Sequence, residues 1–320
     1  MSVARISYGF PNEGNTCFAG TPLMCIMLDP DFTKKYEEIA EKTRDKSKKL
    51  HNDNPKKFET ERAVSLINQL LCIANTNNNG LLPRFLKTLD STLSDKKQHT
   101  IDSFLGSFRR AIPEDLGLSF PLLTHAKIFT LSPSGASQEI RKISETSSSD
   151  SPSLEWIAFS SRDQLKEREC KINEMWVERC CYVFDVYGDL IFVNCPRDDW
   201  RPLANDVIRL PLWDESDLKE LKDDHQKVIK PKKTADYELF AVIMSRRFSE
   251  KDGHAWANVR VKGDKWNSYD HGKVTLNGAD PYFEASKTED AASVEKLVLK
   301  RIKVETTSLS QYVLELISGT

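Results

Sequence analysis

The sequence predicts an α+β fold, in which a helical N-terminal part is followed by a part built mainly of β-strands. Up to about residue 112, apolar side chains recur at helical spacing between charged and polar ones. From about residue 120 onward, the apolar segments are instead β-branched, aromatic or alternating, as is typical of strands. No segment repeats along the chain. The change of pattern therefore separates a helical segment from a strand-rich one.

The first predicted helix is the most apolar segment of the N-terminal part. Residues from Cys17 to Leu28 are apolar almost throughout, which indicates a buried helix. Pro22 fits a helix only in its first turn, so this helix is either kinked or regular from Pro22 onward. Further helices are predicted over residues 31–51, 59–75, 81–93 and 100–112.

The predicted strands occupy the remaining part of the chain. They are short, rich in β-branched and aromatic residues, and separated by polar or charged stretches. The segments comprise residues 126–131, 155–159, 177–193, 206–212, 236–247, 255–262 and 266–275.

Composition and charge are those of an ordinary globular protein. Of 320 residues, 39% are apolar and 29% are charged, and the net charge of −2 gives no reason to expect binding to nucleic acid or a membrane. No apolar run approaches the roughly 20 residues that span a bilayer, and the N-terminus lacks a secretory signal pattern. We therefore expect a protein of the cytoplasm or nucleus, and we expect it to be a monomer. If the protein is a pathogen effector, the compartment would be that of the host cell. The seven cysteines are then expected to be free thiols.

A candidate nucleophile lies where a turn meets the first helix. The turn runs from Asn12 to Thr16 and delivers Cys17 to the start of the apolar segment. A helix N-terminus carries a partial positive charge that favours thiolate over thiol, and nearby amides, including the side chain of Asn12, could stabilise an oxyanion. The alternative is that Cys17 is a small buried apolar residue without a chemical role.

A candidate base follows more than 200 residues later. His254 comes after Gly253 and directly precedes a predicted strand, and Asp270 follows sixteen residues later, within the next predicted strand. Two antiparallel strands of this length would return Asp270 to the side of His254, where a carboxylate can fix the tautomer of the imidazole. The alternatives are a strand-edge histidine without a task and an aspartate that serves only the turn.

These elements resemble, in order, the boxes of the ubiquitin-specific protease family, which are papain-like cysteine deubiquitinases. The stretch from Phe10 to Phe18 resembles the cysteine box, and the stretch from Tyr237 to Val274 resembles the histidine box. Between the two, residues 190–197 and 208–212 resemble strands of the family's domain.

The resemblance implies a single catalytic domain over residues 1–320 with a papain-like fold. A helical thumb would comprise residues 1–112, and an antiparallel β palm with reduced fingers residues 113–320. The implied catalytic residues are Cys17 as nucleophile, His254 as base, Asp270 as its orienting group and Asn12 in the oxyanion hole. The implied substrate-binding residues are Asn15, Phe18, Gly253, Trp256, Tyr269 and Asp102.

The sequence departs from the family pattern around both boxes. Ala255 replaces the usual aromatic residue after the histidine, and His271 replaces the second acidic residue after Tyr-Asp. Gly20, Thr21 and Met24 stand where the family has Asn-Ser and Gln. The family's Gln-Gln-Asp-Ala box is eroded, and its aspartate is lost or shifted to Asp102. We therefore expect intact catalytic chemistry and an altered recognition surface.

The resulting functional hypothesis is a thiol-dependent hydrolase that cleaves the isopeptide or peptide bond after the C-terminal glycine of ubiquitin. The alternatives are a protease for another ubiquitin-like modifier, such as SUMO or NEDD8, and a catalytically silent relative that binds ubiquitin or a scaffold. No cofactor is expected. No metal is expected either, because the cysteines in the finger region lack Cys-x-x-Cys spacing. These are Cys170, Cys180, Cys181 and Cys195.

Overall fold

A computed structural model describes most of the N-terminal third of the chain and the strands that follow it. The chain divides into two compact units. The first comprises Met1–Phe120, Ser149–Ser151 and Phe240–Val298, and the second Pro121–Ser148, Pro152–Leu239 and Leu299–Thr320. The described residues are 10, 16–76, 79–94, 99–111, 125–130, 141–142, 170–172, 175–177, 180–186, 189–194, 202, 206–212, 233–249, 252–262, 264–278, 280–282 and 292–305.

The helices of the first unit confirm the predicted helical N-terminal segment. Each end of a helix lies within four residues of its predicted position. None of the described helices is long and apolar enough to cross a membrane. They are α1 (Cys17–Met27), α2 (Phe32–Lys49), α3 (Pro55–Thr76), α4 (Leu82–Leu89) and α5 (Ile101–Arg110). Two short 3-10 turns, Asn79–Leu81 and Ser91–Ser94, flank α4.

Helix α4 ends four residues before its predicted end. The backbone of Asp90 is extended, and its carboxylate accepts hydrogen bonds from the backbone N–H and the hydroxyl of Thr92 and from the hydroxyl of Ser107. The aspartate thereby starts the following 3-10 turn in place of another helical turn, as short polar side chains commonly do.

Helix α1 begins at Cys17 and not at Pro22. Pro22 lies inside the helix, and every residue from Phe18 to Met27 is buried. A helix that is apolar on all sides is stable only when it is surrounded by other elements. Gly20 serves one such contact, since a Cβ at this position would lie 3.1 Å from the Cβ of Phe10.

The other helices bury a single apolar face each. In α2 the buried positions include Phe32, Tyr36 and Ile39, and their spacing of three to four residues places them on one side of the helix. Helix α2 packs on α3, and α3 on α4. The corresponding buried residues of α4 are Leu82, Phe85, Leu86 and Leu89, and those of α5 include Ile101, Phe104, Leu105 and Phe108.

The strands confirm the predicted β-rich second part of the chain. The predicted segment 177–193 divides into separate strands, and the predicted strand 155–159 lies outside the described residues. The strands are β1 (His125–Thr130), β2 (Arg141–Lys142), β3 (Cys170–Ile172), β4 (Met175–Val177), β5 (Cys180–Val186), β6 (Leu190–Asn194), β7 (Val207–Leu212), β8 (Lys233–Ser249), β9 (Asp252–Lys262), β10 (Lys265–Asp270), β11 (Lys273–Gly278) and β12 (Ser293–Glu305).

The sheet of the first unit has the strand order β11-β10-β9-β8-β12. Strands β8 to β11 form consecutive antiparallel hairpins. Pairing between β9 and β10 begins with Lys262 opposite Lys265 and then shifts by one residue, so that Arg260 lies opposite Trp266. Such a β-bulge changes which side chains share a face of the sheet.

The strands of the second unit form three groups. Part of β8 pairs with β7, and β12 pairs with β6. Strand β1 lies between β2 and β5, and β3 pairs with β4. Arg301 of β12 forms hydrogen bonds to other residues of the second unit. Its backbone N–H donates to the carbonyl of Asp189 over 2.8 Å, and its Nε donates to the hydroxyl of Tyr237 over 3.2 Å.

Strand β12 has no counterpart among the predicted strands, and a buried lysine explains why. Lys296 is only 1% exposed, and its Nζ lies 2.9 Å from the carboxylate of Asp102 in α5. A lysine is rarely so deeply buried unless it is paired. The lysine interrupts the apolar pattern of the strand, so the sequence does not indicate that the apolar residues after it, Leu297–Leu299, belong to a strand.

We predict that Asp102→Ala lowers the free energy of unfolding by about 3 kcal/mol, because it removes the carboxylate from a buried ammonium group. The double variant Asp102→Ala/Lys296→Met should recover most of that loss, since it leaves no buried charge at this position. Urea unfolding measures both, with Asp53→Ala in an exposed turn as the matched control. Equal stability of the single and double variants would contradict the structural role of the pair.

Candidate active site

The candidate site is built on one face of the β9–β10 hairpin. The register that pairs Ala257 with Tyr269 sets Asp270 opposite Trp256, and hence diagonal to His254. Alternate residues of a strand share a face, and diagonal neighbours lie within reach of long side chains. The rings of His254 and Trp256 confirm a common face, since they are nearly parallel at 24° with centroids 5.8 Å apart.

His254 and Asp270 form a short hydrogen bond. Nε2 of the imidazole lies 2.6 Å from Oδ1 of the carboxylate, and their side chains are 17% and 31% exposed. The proximity expected from the hairpin is therefore present. With Nε2 on Asp270, the ring nitrogen that remains for another partner is Nδ1.

The other ring nitrogen faces the cleft that His254 shares with Cys17, and the neighbouring thiol contributes to raising the pKa of the imidazole. Helix α1 presents Cys17 at its first position, where the N–H groups have no acceptor within the helix. The first intrahelical hydrogen bonds are donated by Ala19 and Gly20 to the carbonyl of Thr16. The thiol thus sits at the positive end of a buried helix and beside an imidazole.

A buried hydrogen bond fixes α1 against β9 near these groups. The hydroxyl of Thr21 donates to the backbone carbonyl of Ala255 over 3.1 Å. Thr21 follows Cys17 by one helical turn, and Ala255 follows His254 directly, so the bond joins the neighbours of Cys17 and His254. The position of the thiol relative to the imidazole is therefore set by packing on rigid elements.

The electrostatics of the site favour a protonated His254. Burial by itself lowers the pKa of this imidazole, but its hydrogen bonds to Asp270 and Cys17 outweigh that effect and raise the pKa to about 9. For Asp270, burial acts to raise the pKa, and the hydrogen bond and charge of His254 lower it below its usual range. At neutral pH the pair is therefore an imidazolium held by a carboxylate.

A small cleft opens over these residues. It is partly open to solvent. One face of α1 supplies Cys17, Gly20, Thr21 and Met24, and the hairpin supplies the opposite wall. The other lining residues are Phe10, Thr16, His254, Ala255, Tyr269 and His271.

His271 is the residue of this cleft whose contribution the sequence does not reveal. Its imidazole stacks on that of His254, with centroids 4.1 Å apart and planes 10° apart. Its Nε2 lies 3.6 Å from Oδ1 of Asp270. Its place directly after Asp270 in a tight turn is the available signal, since a turn residue next to a carboxylate can contact the same groups.

The predicted substrate-binding residues do not all line this cleft. Tyr269 lines it, whereas Phe18 is buried with its ring 5.0 Å from that of His99. Trp256 is buried behind His254, with the guanidinium of Arg246 5.9 Å from its ring centroid. Gly253 is half-buried at the start of β9. Their proposed contacts with substrate stay predictions.

Asp102 is not among the residues that line this cleft, and its predicted contact with substrate stays untested. Its carboxylate binds the buried Lys296, and its side chain is 21% exposed. Asn12 and Asn15 lie outside the described residues, so their predicted contributions to the oxyanion hole and to substrate binding stay untested.

Metal binding finds little support in the described part of the chain. His254, Asp270 and His271 bring ligand atoms within 4.8 Å of one another. However, the two imidazole rings are nearly parallel, so their in-plane lone pairs run side by side and do not converge on one ion. Cys195 and the side chains of the other finger-region cysteines, Cys170, Cys180 and Cys181, lie outside the described residues.

Comparison with protein families identifies the class of protein. The model of the family described as ubiquitin carboxyl-terminal hydrolase matches residues 8–296. The chain therefore belongs to the ubiquitin carboxyl-terminal hydrolase family. This membership confirms the predicted enzyme class, a cysteine-type hydrolase of the deubiquitinase group. A search of curated protein sequences finds no significant match.

Solved structures confirm the predicted papain-like fold. The chain is similar to the SAGA Ubp8/Sgf11/Sus1/Sgf73 DUB module bound to ubiquitin aldehyde, with a TM-score of 0.53 and 13% identity, over 95% of this chain and 71% of the other. A Ubp8 variant in the same module bound to monoubiquitin gives the same values. The yeast SAGA DUB module matches with a TM-score of 0.52 and 13% identity, over 95% of this chain and 70% of the other.

The raised pKa of His254 predicts a pH-dependent stability. An imidazole that titrates at about 9 when folded and near its ordinary value of about 6.5 when unfolded stabilises the fold fully below about pH 6.5 and loses that effect as the pH rises through about 9. Between about pH 7 and pH 9.5, the native chain should lose about 2 kcal/mol more unfolding free energy than His254→Gln does.

Urea unfolding at the two pH values measures this difference. The exposed His51 offers a matched control, because His51→Gln should follow the native chain. If His254→Gln and the native chain lose stability in parallel, the imidazolium is not held as the geometry indicates.

Proposed function

We propose that this site hydrolyses the bond after the C-terminal glycine of ubiquitin, with Cys17 as nucleophile, His254 as acid and base, and Asp270 as the group that orients the imidazole. The observation that carries the proposal is the placement of Cys17, at the start of a buried helix, in the same cleft as His254, whose imidazole is hydrogen-bonded to Asp270 over 2.6 Å. A nucleophile, its base and an orienting group at hydrogen-bond distance form the arrangement that activates a thiol.

The first step is attack on the scissile carbonyl. Because His254 takes up the proton of the thiol, the reactive form is a thiolate beside an imidazolium. The sulfur of Cys17 bonds to the carbonyl carbon, and the C=O bond becomes a tetrahedral oxyanion. The imidazolium then gives its proton to the leaving amine, and the C–N bond breaks to leave a thioester.

Water completes the cycle. It loses a proton to the neutral imidazole of His254 as its oxygen attacks the thioester carbonyl. Collapse of the second tetrahedral intermediate releases the carboxylate product and restores Cys17. Asp270 keeps Nε2 of the ring engaged throughout, so that Nδ1 stays directed at the thiol and the substrate.

The oxyanion requires hydrogen-bond donors near the thiol. The backbone N–H groups of Cys17 and Phe18 precede the first intrahelical donors of α1 and so have no acceptor within the helix. The side-chain amide of Asn12 is the proposed third donor. In other hydrolases, one well-placed donor contributes about 3–4 kcal/mol to the stability of the transition state.

Ubiquitin is the substrate that the similarities favour. The family is defined by ubiquitin carboxyl-terminal hydrolysis, and the Ubp8 modules are described as bound to ubiquitin aldehyde and to monoubiquitin. The cleft beside Cys17 is small and bordered by Gly20 and Thr21, which suits a glycine at the scissile bond. SUMO and NEDD8 end in the same kind of tail, so they are the alternative substrates to be tested.

We predict that a ubiquitin probe with a C-terminal propargylamide forms a covalent adduct with the native chain and none with Cys17→Ala. The alkyne carbon then occupies the position of the scissile carbonyl, so only a correctly placed thiol reacts. Intact-protein mass spectrometry measures the adduct. Cys72→Ala is the matched control, since Cys72 is an exposed free thiol and its removal should leave labelling intact.

Hydrolysis of fluorogenic ubiquitin, SUMO and NEDD8 substrates then defines the specificity. His254→Ala should lower kcat/KM for the preferred modifier on the order of a hundredfold to ten-thousandfold, as loss of a general base does. Absence of any Cys17 adduct with all three modifiers would contradict the enzyme proposal and leave the chain as a silent binding relative.

A further inference from the structure

His271 occupies a turn position that suits few side chains. The hairpin of β10 and β11 pairs Asp270 with Lys273, which leaves His271 and Gly272 as a two-residue turn. The backbone of His271 is left-handed, with φ of 50°. Glycine, asparagine and aspartate are usual at such positions, and a left-handed conformation costs other residues on the order of 1 kcal/mol. Histidine is enriched at such positions relative to most other residues, so the turn accommodates this imidazole.

The left-handed backbone directs this imidazole onto the candidate catalytic pair. The ring of His271 lies flat on the ring of His254, with centroids 4.1 Å apart. Its Nε2 is 3.6 Å from Oδ1 of Asp270, the same oxygen that accepts the 2.6 Å hydrogen bond from Nε2 of His254. The imidazoles of His254 and His271 thus compete for one carboxylate oxygen of Asp270, and His254 forms the hydrogen bond to it.

The charges around His271 decide which of the two is protonated first. His254 faces it from β9, Asp270 precedes it in β10, and Lys273 follows it in β11. Beyond the stacked ring, Arg246 of β8 lies opposite His254 in the sheet, and Cys17 of α1 lines the same cleft. Burial, the charge of His254 and the charge of Lys273 lower the pKa of His271 below its ordinary value, and Asp270 only partly opposes them. His271 is therefore neutral at neutral pH, while His254 is charged.

We propose that His271 is a positioning residue that sets the acidic limit of hydrolysis: its neutral ring holds the imidazolium of His254 by stacking, and its protonation takes Asp270 away from His254. This inference rests on the proposed function of Cys17, His254 and Asp270. It concerns the pH range over which their arrangement persists.

The direction of the effect follows from the contacts. As the pH falls, a proton on His271 creates a second cation 4.1 Å from the imidazolium of His254, which the stacked arrangement opposes. The same proton turns the 3.6 Å approach to Asp270 into an ion pair that draws the carboxylate toward the turn. His254 then loses its orienting group and turns its Nδ1 away from Cys17, so hydrolysis stops before Asp270 itself is protonated.

Two substitutions separate stacking from titration. His271→Asn removes the ring and the titration, and asparagine tolerates a left-handed turn. His271→Phe retains an aromatic face over His254 but cannot take up a proton. The measurement is kcat/KM for a fluorogenic ubiquitin substrate from about pH 5 to about pH 9, with thermal unfolding to show that each variant is folded.

Both variants should hold their activity further into the acidic range than the native chain. The ratio of variant to native kcat/KM should rise by roughly threefold to tenfold between about pH 7.5 and about pH 5, because the proton that displaces Asp270 no longer binds. At neutral pH the Asn variant should be slower than the Phe variant, since only the latter supports the ring of His254. Ratios that do not change with pH in either variant would overturn the proposal.

A titration of the histidine ring protons by NMR in the native chain tests the same inference without a variant and without substrate. We expect His271 to titrate below its ordinary range and the signals of His254 to move in the same step. If both occur in a chain that hydrolyses no ubiquitin substrate, the proposed function fails and the coupling stands. If His271 titrates in its ordinary range while the signals of His254 stay unchanged, the inference is wrong whatever the activity.

Discussion

The register of β9 against β10 is the constraint on which the candidate site depends. The hairpin starts with Lys262 opposite Lys265 and, after a one-residue bulge, continues in a register that places Asp270 diagonal to His254. Without the bulge, the pairing would slip by one residue, and Asp270 would point to the other face of the sheet. The bulge therefore determines that carboxylate and imidazole meet at 2.6 Å. The orientation of His254, its raised pKa and its competition with His271 all follow from that meeting.

Burial fixes the position of helix α1 against the β9–β10 hairpin. Its residues from Phe18 to Met27 are all buried, so the helix is fixed by packing on every side, and the hydroxyl of Thr21 locks it to the carbonyl of Ala255. Cys17 is half-buried, and a thiolate at such a site would be costly without compensation. The positive end of the helix and the imidazolium of His254 supply that compensation, which is why a papain-like site needs both elements at once.

Much of this architecture can be predicted from the sequence, because the periodicity of apolar residues indicates which side chains are buried. The helices and the β8–β10 hairpins follow their apolar patterns, and the spacing between His254 and Asp270 predicts their proximity. One of the differences involves a charged group whose partner is remote in the sequence. Strand β12 is missed because Lys296 interrupts it, and its partner Asp102 lies in α5, 194 residues away. The stacking of His271 depends on a turn conformation and a bulge, neither of which periodicity encodes.

The most direct test of the account is the rate at which iodoacetamide alkylates Cys17 as a function of pH, followed by mass spectrometry. If the thiol is paired with His254 as the geometry indicates, the native chain should react at about pH 7 roughly tenfold or more faster than His254→Ala. The native rate should change again near pH 9, where His254 loses its proton. Identical rate profiles for the two proteins would show that Cys17 is an ordinary thiol and would contradict the account.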